Sequence, residues 1–324
     1  MINMFKPLAV ARVADRLPLR YFDIGSRGGL QDDLIPLAFA VDAVGFEPDA
    51  VEFERLEKQP SGPWRSLRFL PVGVAGASGE RTLFIPDDPL SASLMAHDPA
   101  IGEVFNKQHM FSLSRTVRVP VLSLADALKQ SGLERIDYLK IDVEGAELEI
   151  FDGSAQVLAE VLCIKTEVAF IAARKNQPLA SDVDQHLRAA GFQLLAMIEP
   201  AHWRRQGTLT DPYYAAQDVP YAKGQLIHAD MLYIRDAETM AENSDKLVRQ
   251  ALILMSFGYF DHAMLLLQRP LVQDYLKSEF ALSPLEVVGP ASKAYGRRAF
   301  LRAFYRQFRG LVPFARYLRN LLAN

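Results

Sequence analysis

The stretch "IDYLKIDVEGAELEIFDGS", residues 136–154, contains an apolar run that ends in acidic residues and a glycine. A nearly continuous apolar run is typical of a parallel strand that is buried on both faces of a sheet. Such a strand delivers Asp142 and Glu144 to one edge of the sheet, and Gly145 permits a tight exit into a helix that Glu147 begins. Two acids at the end of a central strand are costly unless something uses them. The alternative is a well-capped strand–helix junction, because acids are favoured at helix starts.

Apolar runs of the same kind alternate with helical patterns over residues 20–235. Several runs are nearly continuous, as expected of parallel strands that helices cover on both sides. This alternation predicts an α/β fold with a mostly parallel, doubly wound sheet. The predicted strands are residues 20–24, 41–47, 67–75, 136–143, 161–168, 192–199 and 226–235, and the predicted helices are residues 49–58, 122–130, 146–158 and 181–190.

The predicted organisation of the chain has three parts. Residues 1–19 form an N-terminal helical lead-in, and residues 20–235 form the sheet domain. Two extra strand patterns flank an insertion at about residues 86–115, which is predicted to be a mobile or lid-like segment. Strand patterns end near Asp236, so residues 236–324 are predicted to be a helical C-terminal extension with a basic tail.

Charge is unevenly distributed along the chain. The 36 basic and 39 acidic residues give a net charge of −3, which argues against a general affinity for nucleic acid. Residues 291–324, however, hold eight basic residues and no acidic one. On a helix, Arg298 and Arg302 share one side, while Phe300 and Phe304 lie on the other. Such a tail can make peripheral contact with an anionic membrane, or it can pack its apolar side on the preceding helices.

The sequence also carries information about the compartment. Cys163 is the single cysteine, so an intrachain disulfide is excluded. Arg12, Asp15 and Arg16 follow the first short apolar run, which is too short for a signal peptide. No window approaches the ~20 apolar residues of a membrane-spanning helix. We therefore expect a cytoplasmic protein that can associate peripherally with the inner membrane surface.

The stretch "RYFDIGSRGGLQ", residues 20–31, follows the first predicted strand. In a doubly wound sheet, the first strand–loop–helix junction is the usual ligand site. Gly25 permits a ligand to approach the backbone closely, and Gly28 and Gly29 permit a sharp turn. The spacing differs from the dinucleotide pattern G-x-G-x-x-G, so a plain glycine turn is the alternative.

The stretch "GFEPD" places Glu47 at the carboxyl end of the second strand, next to the glycine loop. An acid at this position can accept hydrogen bonds from both hydroxyls of a bound ribose. Pro48 is predicted to begin the following helix. The alternative is that Glu47 serves only the first turn of that helix.

Together, "FDIGSRGG", "GFEPD" and residues 136–154 resemble the FkbM family of S-adenosylmethionine-dependent methyltransferases. The stretches "VPVLSLADAL" and "IKTEVAF" resemble the same family, so the similarity covers roughly residues 20–235. Two positions depart from its pattern, because Arg27 stands where the family usually has Asn and Gly28 where it has an apolar residue.

The resemblance implies a Rossmann-like methyltransferase fold that binds S-adenosylmethionine. Asp23 and the glycine loop would hold the methionine part of the cofactor, Glu47 would bind the ribose, and the residues near Gly73 would border the adenine. Asp142 would face the sulfonium and the acceptor. The implied cofactor-binding residues are Asp23, Gly25, Ser26, Arg27, Gly28, Gly29, Glu47, Pro48, Gly73, Val74, Ser93 and Asp142.

Members of the family commonly methylate hydroxyls of sugars or of polyketide-like natural products. The resemblance therefore implies an O-methyltransferase acting on a sugar, a glycan or a natural product. By position, Asp142, Glu144 and Glu167 are the candidates to remove or stabilise the hydroxyl proton. We predict no resident metal, although these three carboxylates are also candidate ligands of a divalent cation. His97 and His109 in the insertion are further candidate bases, or ordinary surface residues.

Two other classes of function fit part of the pattern. A cofactor-binding scaffold could use the helical extension to hold a partner. An NAD-dependent oxidoreductase could use the same sheet, but the glycine spacing and the "KIDVEGAE" strand disfavour it. The aromatic and basic residues 201–214 could stack on sugar rings or hold an anionic group, or they could form an ordinary surface loop around Trp203.

Overall fold

The computed structural model describes residues 2–205 and 224–322. The strands, in chain order, are β1 (Leu19–Ile24), β2 (Val41–Phe46), β3 (Ser66–Leu70), β4 (Gly73–Val74), β5 (Gly79–Pro86), β6 (Leu113–Leu122), β7 (Tyr138–Ile141), β8 (Cys163–Ala169), β9 (Phe192–Trp203) and β10 (Gln225–Arg235). The α-helices are α1 (Val10–Arg16), α2 (Ala50–Glu57), α3 (Pro99–Phe105), α4 (Gln108–Phe111), α5 (Leu124–Ser131), α6 (Glu147–Asp152), α7 (Ala155–Leu158), α8 (Ala180–Ala189), α9 (Ser244–Phe257), α10 (Phe260–Leu267), α11 (Pro270–Phe280) and α12 (Pro284–Leu322). Short 3-10 helices cover Asp32–Ala40, Pro89–Ser91 and Ala237–Met240.

Seven strands form the main sheet in the order β3-β2-β1-β7-β8-β10-β9. The first five are parallel to their neighbours, while β10 runs antiparallel to both β8 and β9. The strand order reverses between β1 and β7, and ligands bind at such a switch point in doubly wound sheets. The predicted mostly parallel, Rossmann-like α/β sheet with a helical C-terminal region is confirmed.

The two faces of the sheet have different cores. One face packs against the helices that follow the strands, such as α5 and α8, with Phe22 and Ile141 at its centre. The other face packs against α1, the 3-10 helix Asp32–Ala40 and the C-terminal helices, with Tyr21 and Tyr138 in the middle. Residues 247–256 of α9 are all buried. The C-terminal helices are therefore one of the layers that cover the sheet.

Three local elements differ from the predictions. The predicted strand 67–75 divides into β3 and β4, which belong to different sheets. The segment after the glycine loop forms a 3-10 helix, Asp32–Ala40, which is not among the predicted helices. The predicted helix 146–158 is interrupted at Gly153, where the carbonyl oxygen of Gly76 approaches so closely that a Cβ would lie 2.2 Å from it.

Helix α2 begins at Ala50, two residues later than predicted from Pro48. Asp49 is its N-cap, and the Asp49 carboxylate accepts a hydrogen bond from the Val51 amide at 3.2 Å. An aspartate at this position satisfies an amide that has no partner within the helix. Pro48 is consequently left in the loop between β2 and α2, at the edge of the sheet.

The insertion lies between two strands of a small sheet with the order β4-β6-β5. Its segment around His97 pairs with the chain after β8, through a bridge between His97 and Arg174. The Lys175 amide also donates to the carbonyl of Ala96 at 3.0 Å. The insertion is thus docked on the edge of the main sheet where β7 and β8 end. The division of the chain into three domains stays a prediction.

Within residues 2–205 and 224–322, no helix has both the length and the apolar character needed to cross a membrane.

Candidate functional site

The loop after β1 lies unusually close to the loop after β7. Gly25 has φ +84°, and a Cβ at this position would lie 1.8 Å from the carbonyl oxygen of Asp142. The ammonium group of Lys140 also donates a hydrogen bond to the carbonyl of Gly25 at 3.0 Å. Both the positive φ and the close approach require glycine. This contact fixes the position of the glycine loop relative to the end of β7.

Asp23, in β1, stabilises the glycine loop. It lies beside Lys140 in the register of β1 and β7, and its Oδ1 lies 3.1 Å from Lys140 Nζ. Its Oδ2 accepts a hydrogen bond from the Gln31 amide at 2.9 Å, which joins the two ends of the loop. Burial raises the pKa of Asp23, while Lys140 lowers it. Burial opposes the charge on Lys140, but Asp23 and Asp142 keep its pKa above the usual range.

Ser26 holds the loop to β2. Its hydroxyl donates to the carbonyl of Asp23 at 2.7 Å and accepts from the Phe46 amide at 3.1 Å. Gly28 and Gly29 have φ of +89° and +124° and form the turn. These residues shape the backbone around the cavity described next without lining it.

Glu47 is buried at the end of β2, with a relative exposure of 3%. Its Oε1 accepts a hydrogen bond from the Asp49 amide at 2.8 Å and lies 3.5 Å from Arg27 Nη2. Arg27 Nη2 also pairs with the Asp49 carboxylate at 2.9 Å. Burial raises the pKa of Glu47 to about 7, although Arg27 acts to lower it. The charge of Glu47 therefore depends on pH and on Arg27.

A cavity of about 280 Å³ lies over the switch point between β1 and β7. The glycine loop and the ends of β2 and β7 form one side, and the insertion forms the other through residues such as Leu90 and Leu94. The predicted site residues that line it are Gly25, Arg27, Glu47, Pro48, Gly73, Val74, Ser93, Asp142 and Glu144.

The loop after β7 is held in a strained conformation. Glu144 has φ +61°, which side-chain-bearing residues rarely adopt. The buried Glu147 carboxylate accepts hydrogen bonds from the amides of Val143 and Gly145 at 3.1 and 3.0 Å. The Ser93 hydroxyl donates to the carbonyl of Glu144 at 2.8 Å. The neighbouring contacts therefore stabilise the strained residue, as is common at functional sites.

Three carboxylates meet at the ends of β7 and β8. Oxygen atoms of Asp142, Glu144 and Glu167 all lie within 4.8 Å of one another. Burial raises the pKa of Glu144 to about 7, with Arg174 lowering it and Asp142 raising it. Burial, together with Glu144 and Asp142, raises the pKa of Glu167 well above its usual value. This cluster can accept a proton near neutral pH.

A second, smaller cavity of about 60 Å³ lies on the other side of Glu144. Its polar wall includes Glu144, Glu167 and His228, and Nδ1 of His228 lies 2.7 Å from Oε1 of Glu167. Trp203 and Phe111 form its aromatic wall, and their rings meet edge to face at 6.1 Å between centroids. Glu144 lines both cavities, so the two are adjacent.

Residues 34–194 match the model of the methyltransferase FkbM domain. Through these residues the chain belongs to the FkbM methyltransferase family. The FkbM match contains Glu47, the carboxylates at the ends of β7 and β8, and the insertion. The glycine loop and His228 lie outside it.

Two solved methyltransferase structures are similar to this FkbM protein. Magnesium protoporphyrin IX methyltransferase from Synechocystis PCC 6803, with bound S-adenosylmethionine, has 14% identity and a TM-score of 0.33, covering 70% of this chain and 76% of that one. Precorrin-6y C5,15-methyltransferase from Geobacter metallireducens GS-15 has 10% identity and a TM-score of 0.33, covering 70% and 87%. None of the curated proteins matches the sequence. The FkbM assignment does not rest on these likenesses.

Several functional contacts of the FkbM site were not predicted. Lys140 was missed because its partner Asp23 is identified only by strand register. Arg174, which forms an ion pair with Glu144, was missed because a loop 30 residues away supplies it. His228 was missed because β10 runs antiparallel and brings its N-terminal half to the ends of β7 and β8.

The two histidines of the insertion lie outside both cavities of the FkbM site. His97 Nε2 lies 2.8 Å from the carbonyl of Ser91, and burial lowers the pKa of the ring. His109 is exposed on α4. Neither position supports the role of a base, in contrast to His228. Of the predicted aromatic and basic stretch 201–214, residues 206–214 lie outside the described residues.

Proposed function

We propose that the protein is an S-adenosylmethionine-dependent O-methyltransferase acting on a hydroxyl of a sugar, a glycan or a natural product. The observation that carries this proposal is the arrangement of two adjacent cavities that share Glu144. The larger cavity has the residues expected around a nucleoside-containing cofactor, and the smaller one has groups that can receive a hydroxyl proton. The FkbM domain supports the methyl-transfer chemistry.

The residues of the larger cavity fit the cofactor. Gly25 lines this cavity, where its close contact with the Asp142 carbonyl holds the loop in place, and the buried carboxylate of Glu47 is available to accept ribose hydroxyls. Val74 and Leu83 offer an apolar wall for a planar base. Asp142, at the end of β7, would border the reacting end. When bound, S-adenosylmethionine supplies an electrophilic methyl group.

The protein's own residues would position the acceptor and manage its proton. Proximity and orientation supply much of the rate enhancement in such transfers. A hydroxyl nucleophile also needs a proton acceptor, for which Asp142, Glu144 and Glu167 are candidates. Arg174 and His228 each engage one of these carboxylates, Glu144 and Glu167 respectively. We therefore propose that the cluster works without a resident divalent cation.

We further propose that the protein works in the cytoplasm, with the tail of α12 touching the inner membrane surface. Phe300 and Leu301 on α12 are 67% and 63% exposed, and basic residues are interspersed with them. An apolar side with basic neighbours suits an anionic lipid surface. This location would give access to lipid-linked glycans as acceptors.

A calorimetric titration with S-adenosylhomocysteine and with NAD, combined with a methyl-transfer screen over hydroxylated glycans and sugar nucleotides, tests the proposal. We expect S-adenosylhomocysteine to bind and NAD not to bind. NAD binding would support an oxidoreductase. Cofactor binding with no transfer to any acceptor would instead support a scaffold role for the protein.

A further inference from the structure

His228 is the residue of the second cavity whose chemistry is not yet assigned. It lies on β10, opposite Ala169 in the register with β8, and it lines the cavity together with Glu167. Its Nδ1 lies 2.7 Å from Oε1 of Glu167, which is within hydrogen-bonding distance. Among the residues that the structure describes, its other ring nitrogen, Nε2, makes no hydrogen bond.

We propose that the second cavity binds the acceptor hydroxyl and that Nε2 of His228 accepts its proton, with Glu167 orienting the ring through Nδ1. This inference rests on the proposed O-methyltransferase activity. When Glu167 is ionised, its carboxylate keeps the hydrogen on Nδ1 and leaves the Nε2 lone pair available. Because burial raises the pKa of Glu167, this form of the pair becomes populated as the pH increases. His228 is then the catalytic residue for proton removal, and Glu167 is its positioning residue.

The proposed step transfers a methyl group to the acceptor oxygen and a proton to His228. The acceptor oxygen forms a bond to the methyl carbon while the bond between that carbon and sulfur breaks, and its electron pair remains on sulfur. The hydroxyl proton moves to Nε2 of His228. The products are the methyl ether, a neutral thioether and a protonated His228–Glu167 pair, which returns the proton to water.

The groups around the pair favour uptake of a positive charge. Asp142 and Glu144 come from the loop after β7, Glu147 begins α6, and these three carboxylates all act to raise the pKa of Glu167. Arg174 is the opposing cation, but its guanidinium forms an ion pair with Glu144. Burial lowers the pKa of His228, while Asp142 raises it. A neutral imidazole is therefore available at neutral pH to accept the proton.

The walls of the cavity indicate the class of acceptor. A volume of about 60 Å³ holds about four to six water-sized groups, which is enough for a few hydroxyl-bearing carbons. Trp203 contacts the His228 ring edge to face at 6.1 Å between centroids and offers an apolar surface beside the carboxylates. An aromatic surface together with carboxylates suits the hydroxyl-bearing edge of a saccharide, of which the cavity can hold a few carbons. The inferred substrate is thus a sugar hydroxyl rather than a long apolar chain.

Nitrogen-15 NMR of the histidine rings tests the tautomer without an acceptor. Comparison with H228Q identifies the His228 signals among the six histidines. We expect wild-type His228 near pH 8 to carry hydrogen on Nδ1 and a lone pair on Nε2, and we expect E167Q to reduce this preference. An Nε2–H tautomer in the wild-type protein would overturn the proposal, because no lone pair would face the hydroxyl.

Methyl transfer to an acceptor from the glycan screen gives the second readout. H228Q should lower turnover by about 10²-fold or more and remove the rise of activity with pH, since the unprotonated pair is the active form. Its affinity for S-adenosylhomocysteine should match the wild-type value. Wild-type turnover in H228Q would overturn the proposal. Failure of the wild-type protein to bind S-adenosylhomocysteine would instead overturn the proposed function and leave the NMR result standing.

His186 provides the matched control. Its Nδ1 lies 3.0 Å from Oδ1 of Asp152, so it repeats the histidine–carboxylate pair at a site outside both cavities. H186Q should keep the turnover and the pH profile of the wild-type protein. An equal loss in H186Q and H228Q would show that the effect comes from stability rather than proton transfer.

Discussion

Glu47 changes its protonation state near neutral pH, since burial raises its pKa to about 7. Ribose hydroxyls donate hydrogen bonds more strongly to a carboxylate than to a carboxylic acid. We therefore expect the affinity for S-adenosylhomocysteine to rise as pH increases through about 7 and to fall below it. Glu47→Gln should remove this dependence and cost about 1.5–3 kcal/mol of binding free energy at high pH. Calorimetric titrations between pH 5.5 and 8.5 measure both effects.

Glu57→Gln is the control for a general change of charge, because Glu57 is exposed at the end of α2. It should leave the pH dependence unchanged. Arg27→Gln should move the midpoint to higher pH, since Arg27 lowers the pKa of Glu47. An affinity for S-adenosylhomocysteine that is independent of pH in the wild-type protein would show that Glu47 serves only the start of α2.

Asp142 offers a second test at the residue scale. Its side chain is about one-third exposed and lies 3.5 Å from Lys140 Nζ, so Asp142→Asn keeps its size and removes one weak ion pair. We expect the melting temperature to stay nearly unchanged and turnover to fall by about 10²-fold, because Asp142 would border the reacting end and acts, against burial, to raise the pKa of His228, the proposed proton acceptor. Thermal unfolding and single-turnover methyl transfer measure the two quantities. Wild-type turnover, or loss of folding, would contradict the prediction.

Site residues at the ends of strands can be identified from the sequence. Site residues whose role depends on the register between strands or on a long-range contact cannot. Glu47 and Asp142 each follow an apolar run, so the ends of parallel strands place them at one edge. Lys140 lies inside such a run, and its role is clear only when Asp23 is seen beside it on β1. Arg174 depends on a long-range contact with the loop after β7, for which no local pattern exists.

At the scale of elements, the glycine loop depends on its contact with the end of β7. Gly25→Ala would place a Cβ 1.8 Å from the carbonyl oxygen of Asp142 in addition to the strain of a positive φ. The strain alone costs about 1–3 kcal/mol, and the clash adds to it by separating β1 from the loop after β7. We expect a clear fall in the urea midpoint and loss of S-adenosylhomocysteine binding.

Gly28→Ala is the matched control for this experiment. Gly28 has φ +89°, but no atom lies within 4 Å of the Cβ that would be added. Its variant should therefore show the cost of the backbone strain without the clash. Equal destabilisation of the two variants would mean that the close approach to Asp142 contributes nothing to stability.

The elements themselves were largely predictable, because apolar runs and helical periodicity are local. The prediction failed where a longer-range constraint decides the outcome. One apparent strand divides into β3 and β4 because its second half pairs with β6 in the small sheet. The 3-10 helix Asp32–Ala40, which covers one face of the sheet, was not predicted from helical periodicity. The antiparallel direction of β10, which places His228 in the site, has no signature in its own sequence.

At the scale of the whole molecule, the side chains of α12 become exposed between Ala291 and Leu301. Ala291 is buried, whereas Phe300 and Leu301 are largely exposed. We expect the full chain to float with anionic vesicles at low salt and a chain ending at Gly296 to remain at the bottom. Each basic residue near the surface adds about 1 kcal/mol of attraction, which salt weakens.

Two substitutions test whether vesicle binding depends on the apolar side chains of this tail or on any exposed apolar side chain. Phe300→Ser with Leu301→Ser should reduce flotation of the full chain, because the apolar contact with the headgroup region is lost. Leu265→Ser is the control, since Leu265 is 66% exposed on α10. Equal flotation of the full chain and of the chain ending at Gly296 would exclude the tail as the membrane contact.

Glu144 belongs to both cavities, and its strained backbone is stabilised by the hydrogen bonds of Glu147 and Ser93 to this loop. A ligand that binds in one cavity and moves Glu144 changes the free energy of ligand binding in the other cavity. Such coupling is reciprocal, so whatever factor the cofactor applies to acceptor affinity, the acceptor must apply to cofactor affinity. The enzyme would then favour a preferred order of addition. The affinity for S-adenosylhomocysteine would also depend on whether the methylated product has already dissociated.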